Sequence, residues 1–329
     1  MNNNIDRTNH SPLLVGEGLG VRRIIGIGET ILDIVFKDNQ PISAVPGGST
    51  FNAIISLGRC GVEAMLLTEV GNDRVGRYVL DFMRENGVNT DYAVTHNGCK
   101  TPVSLAFLND ANDAEYAFYR TPSSGSTDYN YPEIHEDDII LFGSYYAIKP
   151  EVRPQVADFL RYAKQHGAII YYDVNFRPSH AQEKVKLAPN IMENLEFADI
   201  VRGSSEDFTL LYGMDNADKV YRAEISFYTK NFIYTDSSNP VVAFGQNAIR
   251  TEVATPVVDT VSTIGAGDNF NAGFLFALVK MGITHADLEA GLTASQWEQI
   301  LSTAQQFAAD CCKSIYNYVS NDFAKTQTL

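Results

Sequence analysis

Short apolar runs rich in β-branched and aromatic residues alternate along this chain with longer segments of helical period. Runs of this length that are bounded by turn residues predict buried strands. The predicted strands occupy residues 22–29, 64–71, 138–144, 168–176, 198–204, 231–235 and 240–244.

Amphipathic segments lie between these runs. One of them opens at Asn72, carries its apolar residues on a single face and stops at Gly87, and another spans residues 151–167 and also ends at a glycine. Strand and helix that alternate in this way predict right-handed crossovers. The expected fold class is therefore α/β, a three-layer α/β/α arrangement with a mostly parallel central sheet.

Two segments interrupt the alternation. Residues 31–48 and 101–125 have the pattern of alternating strands joined by Asn- and Asp-rich turns, without helices between them. They predict a small β-sheet lid beside the main sheet. Because no internal repeat is present, residues 22–329 are expected to form one domain that carries this lid, and the polar residues 1–21 to form a flexible N-terminal tail.

The charge of the chain limits its partners. Its 329 residues include 40 Asp and Glu against 25 Lys and Arg, which gives a formal net charge of −15. Such a protein is not expected to bind nucleic acid or an anionic membrane surface. An anionic ligand must be held by local groups.

The cysteines and the N-terminal residues carry no signal of another compartment. The four cysteines have neither CxxC spacing nor a histidine cluster beside them, so neither a zinc site nor a disulfide framework is indicated. The sequence has no signal-peptide core and no stretch as long as a membrane span. A cytoplasmic location is expected.

The segment TIGAGDNFNAGF combines three small residues with a carboxylate at the start of an apolar helical pattern. Gly265, Ala266 and Gly267 leave backbone N–H groups open to a ligand, and the positive end of the helix points at them. A transferring phosphoryl group fits such a site. Asp268 follows where a carboxylate can take the proton of an attacking hydroxyl. A Gly-rich turn that serves packing alone is the alternative.

Residues 257–274, VVDTVSTIGAGDNFNAGF, and residues 46–61, PGGSTFNAIISLGRCG, together resemble the paired signatures of the ribokinase-like (PfkB) carbohydrate kinases. The resemblance extends from about residue 22 to about residue 313 in the family's order, and it is greatest to fructokinase-type members. In it Asp268 corresponds to the catalytic base. Residues 265–267 correspond to the anion hole.

The resemblance also implies residues that contact the sugar. Asp33 corresponds to the aspartate that binds sugar hydroxyls; an edge-strand surface charge is the structural alternative. Gly47, Gly48 and Asn52 correspond to the glycine pair and the asparagine that hold the sugar. Glycines let the chain bend tightly beside a ligand, and an amide both donates and accepts hydrogen bonds. A turn followed by an ordinary helix start would give the same pattern.

The segment DVNFRP, residues 173–178, resembles the Asp-x-Asn-x-Arg segment of fructokinase-like and ketodeoxygluconate-kinase-like members. Asn175 offers a polar contact at the C-terminal end of a strand, and Arg177 offers a planar fork suited to a phosphate or a carboxylate. A structural salt bridge is the competing interpretation of Arg177. Arg120, in the predicted lid, is expected to reach the sugar when the lid closes.

The nucleotide side departs from the family pattern. Ser204 stands where the N-x-x-E segment usually has its asparagine, and Asp207 is expected to hold Mg²⁺ through water. Only Thr235 remains of the T-x-G-x-x-G turn, and three extra residues precede the anion hole. Ser204, Thr235, Gly265 and Gly267 are the expected nucleotide-binding residues.

The resemblance implies an ATP-dependent kinase that uses Mg²⁺ and phosphorylates a sugar, with fructose as the expected acceptor. A nucleoside kinase and a 2-keto-3-deoxygluconate kinase of the same family remain open. So does a non-catalytic protein that binds sugar or nucleotide in a regulatory role, which the altered nucleotide turn would suit. The resemblance further implies a homodimer formed through the lid.

Overall fold

Two β-sheets, one large and one small, organise the computed structural model, which describes residues 22–108, 114–119, 130–327 and 329. In chain order the strands are β1 (Ile24–Ile27), β2 (Ile31–Lys37), β3 (Gln40–Gly47), β4 (Ala64–Gly71), β5 (Val88–Asn89), β6 (Ala93–His96), β7 (Val103–Leu108), β8 (Ala114–Tyr119), β9 (Ile139–Gly143), β10 (Ile169–Asp173), β11 (Ile200–Ser204), β12 (Asn231–Thr235), β13 (Val241–Phe244) and β14 (Arg250–Val253). The predictions for residues 1–21 lie outside the described residues.

Helices connect most of the strands of the large sheet. They are α1 (Ser49–Arg59), α2 (Arg74–Glu85), α3 (Ser144–Ile148), α4 (Arg153–Gln165), α5 (Lys184–Phe197), α6 (Ser205–Tyr212), α7 (Ala217–Val220), α8 (Ala266–Met281), α9 (His285–Ala290), α10 (Ala294–Cys311) and α11 (Asn321–Thr326). Short 3₁₀ segments lie at Pro178–Glu183 and Gln246–Ala248. No helix in these described ranges is long and apolar enough to cross a membrane.

The large sheet has the strand order β14-β13-β12-β11-β10-β9-β1-β4-β5, with β6 also paired to β4. Its strands run parallel except at the β14 edge, where β13 is antiparallel to both of its neighbours. The seven strands predicted from the apolar runs correspond to β1, β4, β9, β10, β11, β12 and β13. The predicted fold class is confirmed.

Helices cover both faces of this sheet, so the central strands are apolar on both sides. Alternate residues of β1 show the division: Ile24 belongs to the apolar cluster shared with α1, α8 and α10, and Ile25 to the cluster shared with α4 and α5. Every residue of β9 and of β10 is buried. Because these strands are parallel, their carboxyl ends lie at the same edge of the sheet, which is where ligands bind in folds of this kind.

The small sheet is the predicted lid. Its order is β3-β2-β7-β8, with β2 parallel to β7 and both outer pairs antiparallel. Asp38 and Asn39 close the β2–β3 hairpin with φ angles of 51° and 59°, which these residue types adopt more readily than others. β2 and β3 lie within the predicted segment 31–48, and β7 and β8 lie within the predicted segment 101–125. Residues 109–113 and 120–125 of that segment are not among those described.

Candidate active site

Two cavities meet at the N-terminal end of α8. The lid cavity, of about 510 Å³, is lined among others by Asp33, Gly48, Ser49, Asn52, Asn175, Arg177, Gly265 and Asp268. The strand-end cavity, of about 480 Å³, is lined among others by Arg202, Ser204, Thr235, Thr263, Ala266 and Gly267. Consecutive residues of one helix start therefore contact different cavities, with Ala266 and Gly267 in one and Asp268 in the other.

Asp268 lies in the first turn of α8, where the partial positive charge of the helix favours a carboxylate. Only 6% of the residue is exposed. Its Oδ1 accepts a hydrogen bond from Ser49 Oγ at 2.8 Å, and its Oδ2 accepts one from Asn52 Nδ2 at 2.8 Å. Burial raises the pKa of Asp268, while the Asn52 hydrogen bond and the Arg177 charge oppose that rise. The carboxylate is thus held by neutral donors beside the lid cavity, where it can accept a proton from a hydroxyl ligand.

The start of α1 supplies both donors to Asp268. Gly48, the residue before the helix, has a φ of 130°, which favours glycine, and a Cβ there would lie 2.3 Å from the carbonyl oxygen of Glu29. This turn sets Ser49 and Asn52 in the first turn of the helix. The side-chain oxygen of Asn52 is buried and accepts no hydrogen bond from the described residues, so it can accept one from a ligand.

Asp33 stands on β2, an inner strand of the lid sheet, and not on an edge strand. Its Oδ1 accepts a short hydrogen bond from the buried Ser104 hydroxyl of β7. The pKa of Asp33 is raised to about 6, mainly by burial; the Ser104 hydrogen bond opposes this rise, and the negative charge of Asp268 adds to it. A Cβ at Gly47 would lie 2.3 Å from Asp33 Oδ2, so only glycine leaves room for this carboxylate.

The segment after β10 completes the lid cavity. Asn175 has a φ of 36°, an uncommon conformation for a residue other than glycine, and its Nδ2 donates to Ser49 Oγ at 2.9 Å. Asn175, Ser49 and Asp268 thus form a continuous hydrogen-bonded chain. Arg177 is exposed and borders the same cavity. Arg120, which the sequence also proposed here, lies outside the described residues.

Ser204 and Thr235 end the adjacent strands β11 and β12 and are paired in register. Both line the strand-end cavity, where Thr235 Oγ1 accepts a hydrogen bond from Arg202 Nη2 at 2.8 Å. Ser204, Thr235 and Gly267, three of the predicted nucleotide-binding residues, thus line the same cavity although they are far apart in the sequence.

Asp207 has a structural position. Its Oδ1 accepts from the Phe176 N–H at 2.6 Å, and its Oδ2 accepts from the N–H and the hydroxyl of Ser204 at 2.6 and 2.7 Å. Ser204 and Asp207 form the capping box of α6. In the described part of the chain, no group of three or more His, Cys, Asp or Glu side chains is arranged to hold a metal ion.

Three polar residues of the site were not found by sequence reasoning: Ser49, Ser104 and Arg202. Ser49 follows the glycine pair directly, so its position beside the helix start was a usable signal. Ser104 and Arg202 lie within strands, and each contacts a partner at least 29 positions away. Nothing in their local sequence marks them.

Comparison with known proteins identifies relatives of this chain. A 5-dehydro-2-deoxygluconokinase of Geobacillus thermodenitrificans (strain NG80-2) is 25% identical over 261 residues, which cover 76% of this chain and 77% of the relative. A protein described as probable fructokinase-4 of Arabidopsis thaliana is 24% identical over 267 residues, which cover 78% of this chain and 82% of that one.

Solved structures share the fold. Aminoimidazole riboside kinase of Salmonella enterica, complexed with aminoimidazole riboside and an ATP analog, gives a TM-score of 0.78 at 20% identity and covers 93% of this chain and 99% of its own. Fructokinase of Vibrio cholerae O395, in its fructose-, ADP- and calcium-bound form, gives 0.78 at 19% identity and covers 90% and 94%.

The family can be assigned from the sequence itself. The pfkB family carbohydrate kinase description matches residues 22–314, which include the start of α8, the residues that line the strand-end cavity and all of those that line the lid cavity except Asn317. This confirms the resemblance inferred from the two glycine-containing segments. The chain belongs to the pfkB family of carbohydrate kinases, and it is a sugar kinase, a phosphotransferase with a hydroxyl group as acceptor.

Proposed function

We propose that this kinase transfers the γ-phosphate of ATP to a primary hydroxyl of a sugar, and that fructose is its acceptor. The observation that supports this most strongly is the meeting of two cavities at the start of α8, with Asp268 on one side and Gly267 on the other. A donor in the strand-end cavity and an acceptor in the lid cavity would face each other across this helix start.

Asp268 is the proposed base. It takes the proton from the sugar hydroxyl as the hydroxyl oxygen attacks the γ-phosphorus and the bond to the ADP oxygen breaks. Its two hydrogen bonds, from Ser49 and Asn52, orient the carboxylate without neutralising its charge. The N–H groups at Gly265, Ala266 and Gly267 are proposed to stabilise the transferring phosphoryl. The Ala266 N–H donates to the Thr263 carbonyl oxygen at 3.2 Å and would exchange this acceptor for the phosphoryl.

The sugar is proposed to lie in the lid cavity. Asp33 accepts hydrogen bonds from its hydroxyls, and Gly47 and Gly48 bring the backbone close to it. Asn52, Asn175 and Arg177 add polar groups around the same space. Arg120 remains a proposed contact. The lid strands form one wall of this cavity, so their closure over the sugar would exclude water, which otherwise competes as acceptor.

ATP is proposed to occupy the strand-end cavity. Ser204 and Thr235 present hydroxyl groups there, and the N-terminal end of α8 presents N–H groups to the phosphates. The solved structures of the riboside kinase and the fructokinase hold an ATP analog and ADP. This chain lacks the glycine turn that usually follows the position of Thr235 in the family. Its preference for ATP over GTP therefore has to be measured.

Mg²⁺ is proposed to enter with the nucleotide. Both oxygens of the Asp207 carboxylate already accept hydrogen bonds from the protein, so Asp207 is not placed to be a direct ligand, and the ion would take its direct ligands from phosphate and water. Asp207 would hold it through water, beside Ser204. When bound, the ion would neutralise negative charge on the phosphates of the nucleotide.

The acceptor is proposed to be a neutral sugar. Among the described residues that line the lid cavity, the carboxylates of Glu29, Asp33 and Asp268 outnumber the one guanidinium, Arg177. An acidic sugar would meet net negative charge there. The second candidate class is nevertheless an acidic ketosugar, because a relative is a 5-dehydro-2-deoxygluconokinase and Arg177 can bind a carboxylate in a bidentate manner.

A homodimer through the lid is also proposed. The lid-sheet face opposite Asp33 carries Ile34 paired with Leu105 and Phe36 stacked on Phe107, with ring centroids 4.9 Å apart. Phe107 is 37% exposed and Tyr119, on the same face, is 62% exposed. A sheet that faces a cavity on one side and carries apolar side chains on the other is expected to pack its apolar face against another surface.

A substrate panel tests the proposal. The purified protein is incubated with Mg²⁺ and ATP and with fructose, ribose, a purine nucleoside, 2-keto-3-deoxygluconate or 5-dehydro-2-deoxygluconate, and ADP release is followed. We expect the highest kcat/KM with fructose. A higher value for an acidic ketosugar or a nucleoside would contradict the fructose assignment, and release no faster than without acceptor would favour a non-catalytic binding protein. Repeating the assay with GTP measures donor preference.

A further inference from the structure

A buried arginine lies against the first turn of α8. Arg202, the third residue of β11, is 7% exposed and lines the strand-end cavity beside Thr235. A Cβ atom at Gly267 would lie 3.1 Å from Arg202 Nη2 and 3.2 Å from Nη1. The guanidinium therefore packs directly against the backbone of the anion hole.

The hydrogen bonds of Arg202 are incomplete. Nη1 donates to Asp173 Oδ1 at 3.0 Å, and Nη2 donates to Thr235 Oγ1 at 2.8 Å. The buried Nε has no acceptor among the described residues. A guanidinium has five N–H donors, so donors remain for an anion in the cavity. An arginine that served packing alone would not be expected to leave a buried donor without a partner.

The partner of Arg202 is rigidly held. The other oxygen of Asp173, Oδ2, accepts a hydrogen bond from Asn271 Nδ2 at 2.8 Å, and Asn271 accepts one from the Tyr171 hydroxyl at 2.9 Å. Tyr171 and Asp173 lie on β10, next to β11, and Asn271 lies on α8. This network fixes the guanidinium plane between two strands and the helix, where it needs no rearrangement to meet a ligand.

Charge favours an anion at the same place. The N-terminal end of α8 carries a partial positive charge, and a full positive charge beside it raises the local potential. Asp173 pairs with this charge through Nη1, and the Asp207 carboxylate also acts on it electrostatically. Among the described residues that line the cavity, the Thr235 hydroxyl accepts a hydrogen bond from the guanidinium, and the centre of the Phe270 ring lies 5.8 Å from Arg202 Cζ.

We propose that Arg202 is a catalytic residue of the strand-end cavity that binds the phosphates of the nucleotide and holds the transferring phosphoryl against the N–H groups of the anion hole. This inference rests on the proposed use of ATP. Arg202 forms and breaks no covalent bond; it neutralises charge that moves from the γ-phosphoryl oxygens to the ADP leaving group.

The competing explanation is that Arg202 exists only to neutralise Asp173. Removal of one member of a buried ion pair leaves the other charge unpaired and destabilises a protein, whatever the role of the pair. A single substitution therefore cannot separate the two explanations. Removal of both charges can, because it removes the whole ion pair, while Asp207, the other carboxylate that acts on Arg202, keeps its three hydrogen bonds from protein donors.

The experiment compares Arg202→Met, Arg202→Lys and the double variant Arg202→Met with Asp173→Asn. Dissociation constants for ATP, ADP and adenosine are measured by calorimetry in the presence of Mg²⁺ without sugar, and kcat is measured with the best acceptor. For Arg202→Met we expect weaker ATP binding and a lower kcat, each by about tenfold to a hundredfold, and an adenosine constant within about twofold of the wild type. Arg202→Lys restores part of the loss, because it keeps the charge but not the planar fork.

The double variant decides between the explanations. We expect it to bind ATP as weakly as Arg202→Met while it recovers thermal stability. Wild-type ATP binding in the double variant would overturn the proposal and assign Arg202 to the balance of Asp173. Unchanged ATP binding in Arg202→Met would overturn it as well.

Arg153→Met is the matched control. Arg153 is also 7% exposed and is paired with Glu193 and Asn194, but it lines neither cavity. Its removal is expected to lower thermal stability without changing the ratio of the ATP and adenosine constants. A wild-type protein that binds ATP but phosphorylates no sugar would contradict the proposed function, and the nucleotide measurements would still test Arg202.

Discussion

At the scale of single residues, the site depends on carboxylates held away from water. Asp268 and Asp33 both line the lid cavity, and burial raises the pKa of each. A carboxylate with a raised pKa is a stronger base than one at the surface, which suits proton abstraction from an alcohol. The hydrogen bonds from Ser49, Asn52 and Ser104 oppose this rise in pKa.

Substitution of Asp268 tests the proposed base. Asp268→Asn keeps an acceptor for Ser49 or Asn52 but cannot take a proton, so we expect kcat to fall by about a hundredfold or more, with sugar affinity nearly unchanged. Steady-state kinetics and sugar binding by calorimetry measure the two effects. Asp91→Asn, the same change at an exposed position, is the control and should behave as the wild type. Near-normal turnover in Asp268→Asn would refute the assignment.

The raised pKa of Asp33, about 6, predicts a pH dependence of sugar binding. The carboxylate accepts sugar hydroxyls when ionised, above that pKa, and loses this ability when it is protonated below it. We expect kcat/KM for the sugar to decline as the pH falls through about 6. The Ser104 hydroxyl lowers this pKa, so Ser104→Ala should move the decline to higher pH. A profile that stays flat down to pH 5, or one that Ser104→Ala does not move, would contradict this role of Asp33.

At the scale of elements, the junction of β3 and α1 determines whether the donors to Asp268 are in place. Gly48 connects the lid sheet to the helix that carries Ser49 and Asn52, and Gly47 gives room to Asp33. One short segment thus connects the lid sheet, the proposed base and the proposed sugar contacts.

Gly48→Ala is predicted to disrupt this junction. Its Cβ would meet the Glu29 carbonyl at 2.3 Å in a backbone conformation with φ of 130°, so the segment must shift. We expect a loss of about 2 kcal/mol or more in the free energy of unfolding, and a lower kcat because Ser49 and Asn52 move. Chemical denaturation and kinetics measure these effects.

Gly61→Ala is the control for that prediction. Gly61, two residues after α1, also has a positive φ, 78°, but a Cβ there has no atom within 4 Å. It should lose about 1 kcal/mol from backbone strain alone and keep its activity. Equal effects of the two substitutions would mean that the contact with Glu29 is not what constrains the junction.

The sequence predicted elements well where the apolar pattern was long. The seven predicted strands and the helices over residues 72–87 and 151–167 have counterparts in β1, β4, β9–β13, α2 and α4. It missed β5, β6 and β14, since these strands have two to four residues and a mixed polar composition that carries no clear period.

At the scale of the whole molecule, the two faces of the lid sheet have different surroundings: one lines the lid cavity, and the other is the proposed dimer surface. Asp33, Ser104 and Phe118 lie on the face toward the lid cavity, whereas Ile34 and Leu105 lie on the opposite face. A second copy of the chain that packs on the outer face would support the wall of the sugar site without entering it.

The proposed dimer is tested by light scattering after gel filtration. We expect a mass of twice the 36.3 kDa chain, and Leu105→Glu to shift it toward the monomer, because a charge would be buried in an apolar interface. Phe227→Glu, at a residue that is 77% exposed and far from the lid in sequence, should leave the mass unchanged. A wild-type monomer at micromolar concentration would contradict the dimer.

The sequence by itself determined the order of the strands and helices, the family, and the residues that act through their own local backbone. The Gly-Ala-Gly-Asp segment was readable because its anion hole and its carboxylate belong to one helix start. Only the tertiary structure decided which distant side chains meet there. Ser49 lies 219 positions from Asp268, and Arg202 faces Gly267 from a neighbouring strand. Apolar periodicity records burial and local geometry, whereas hydrogen bonds between remote segments depend on how strands order and helices pack, which no local pattern encodes.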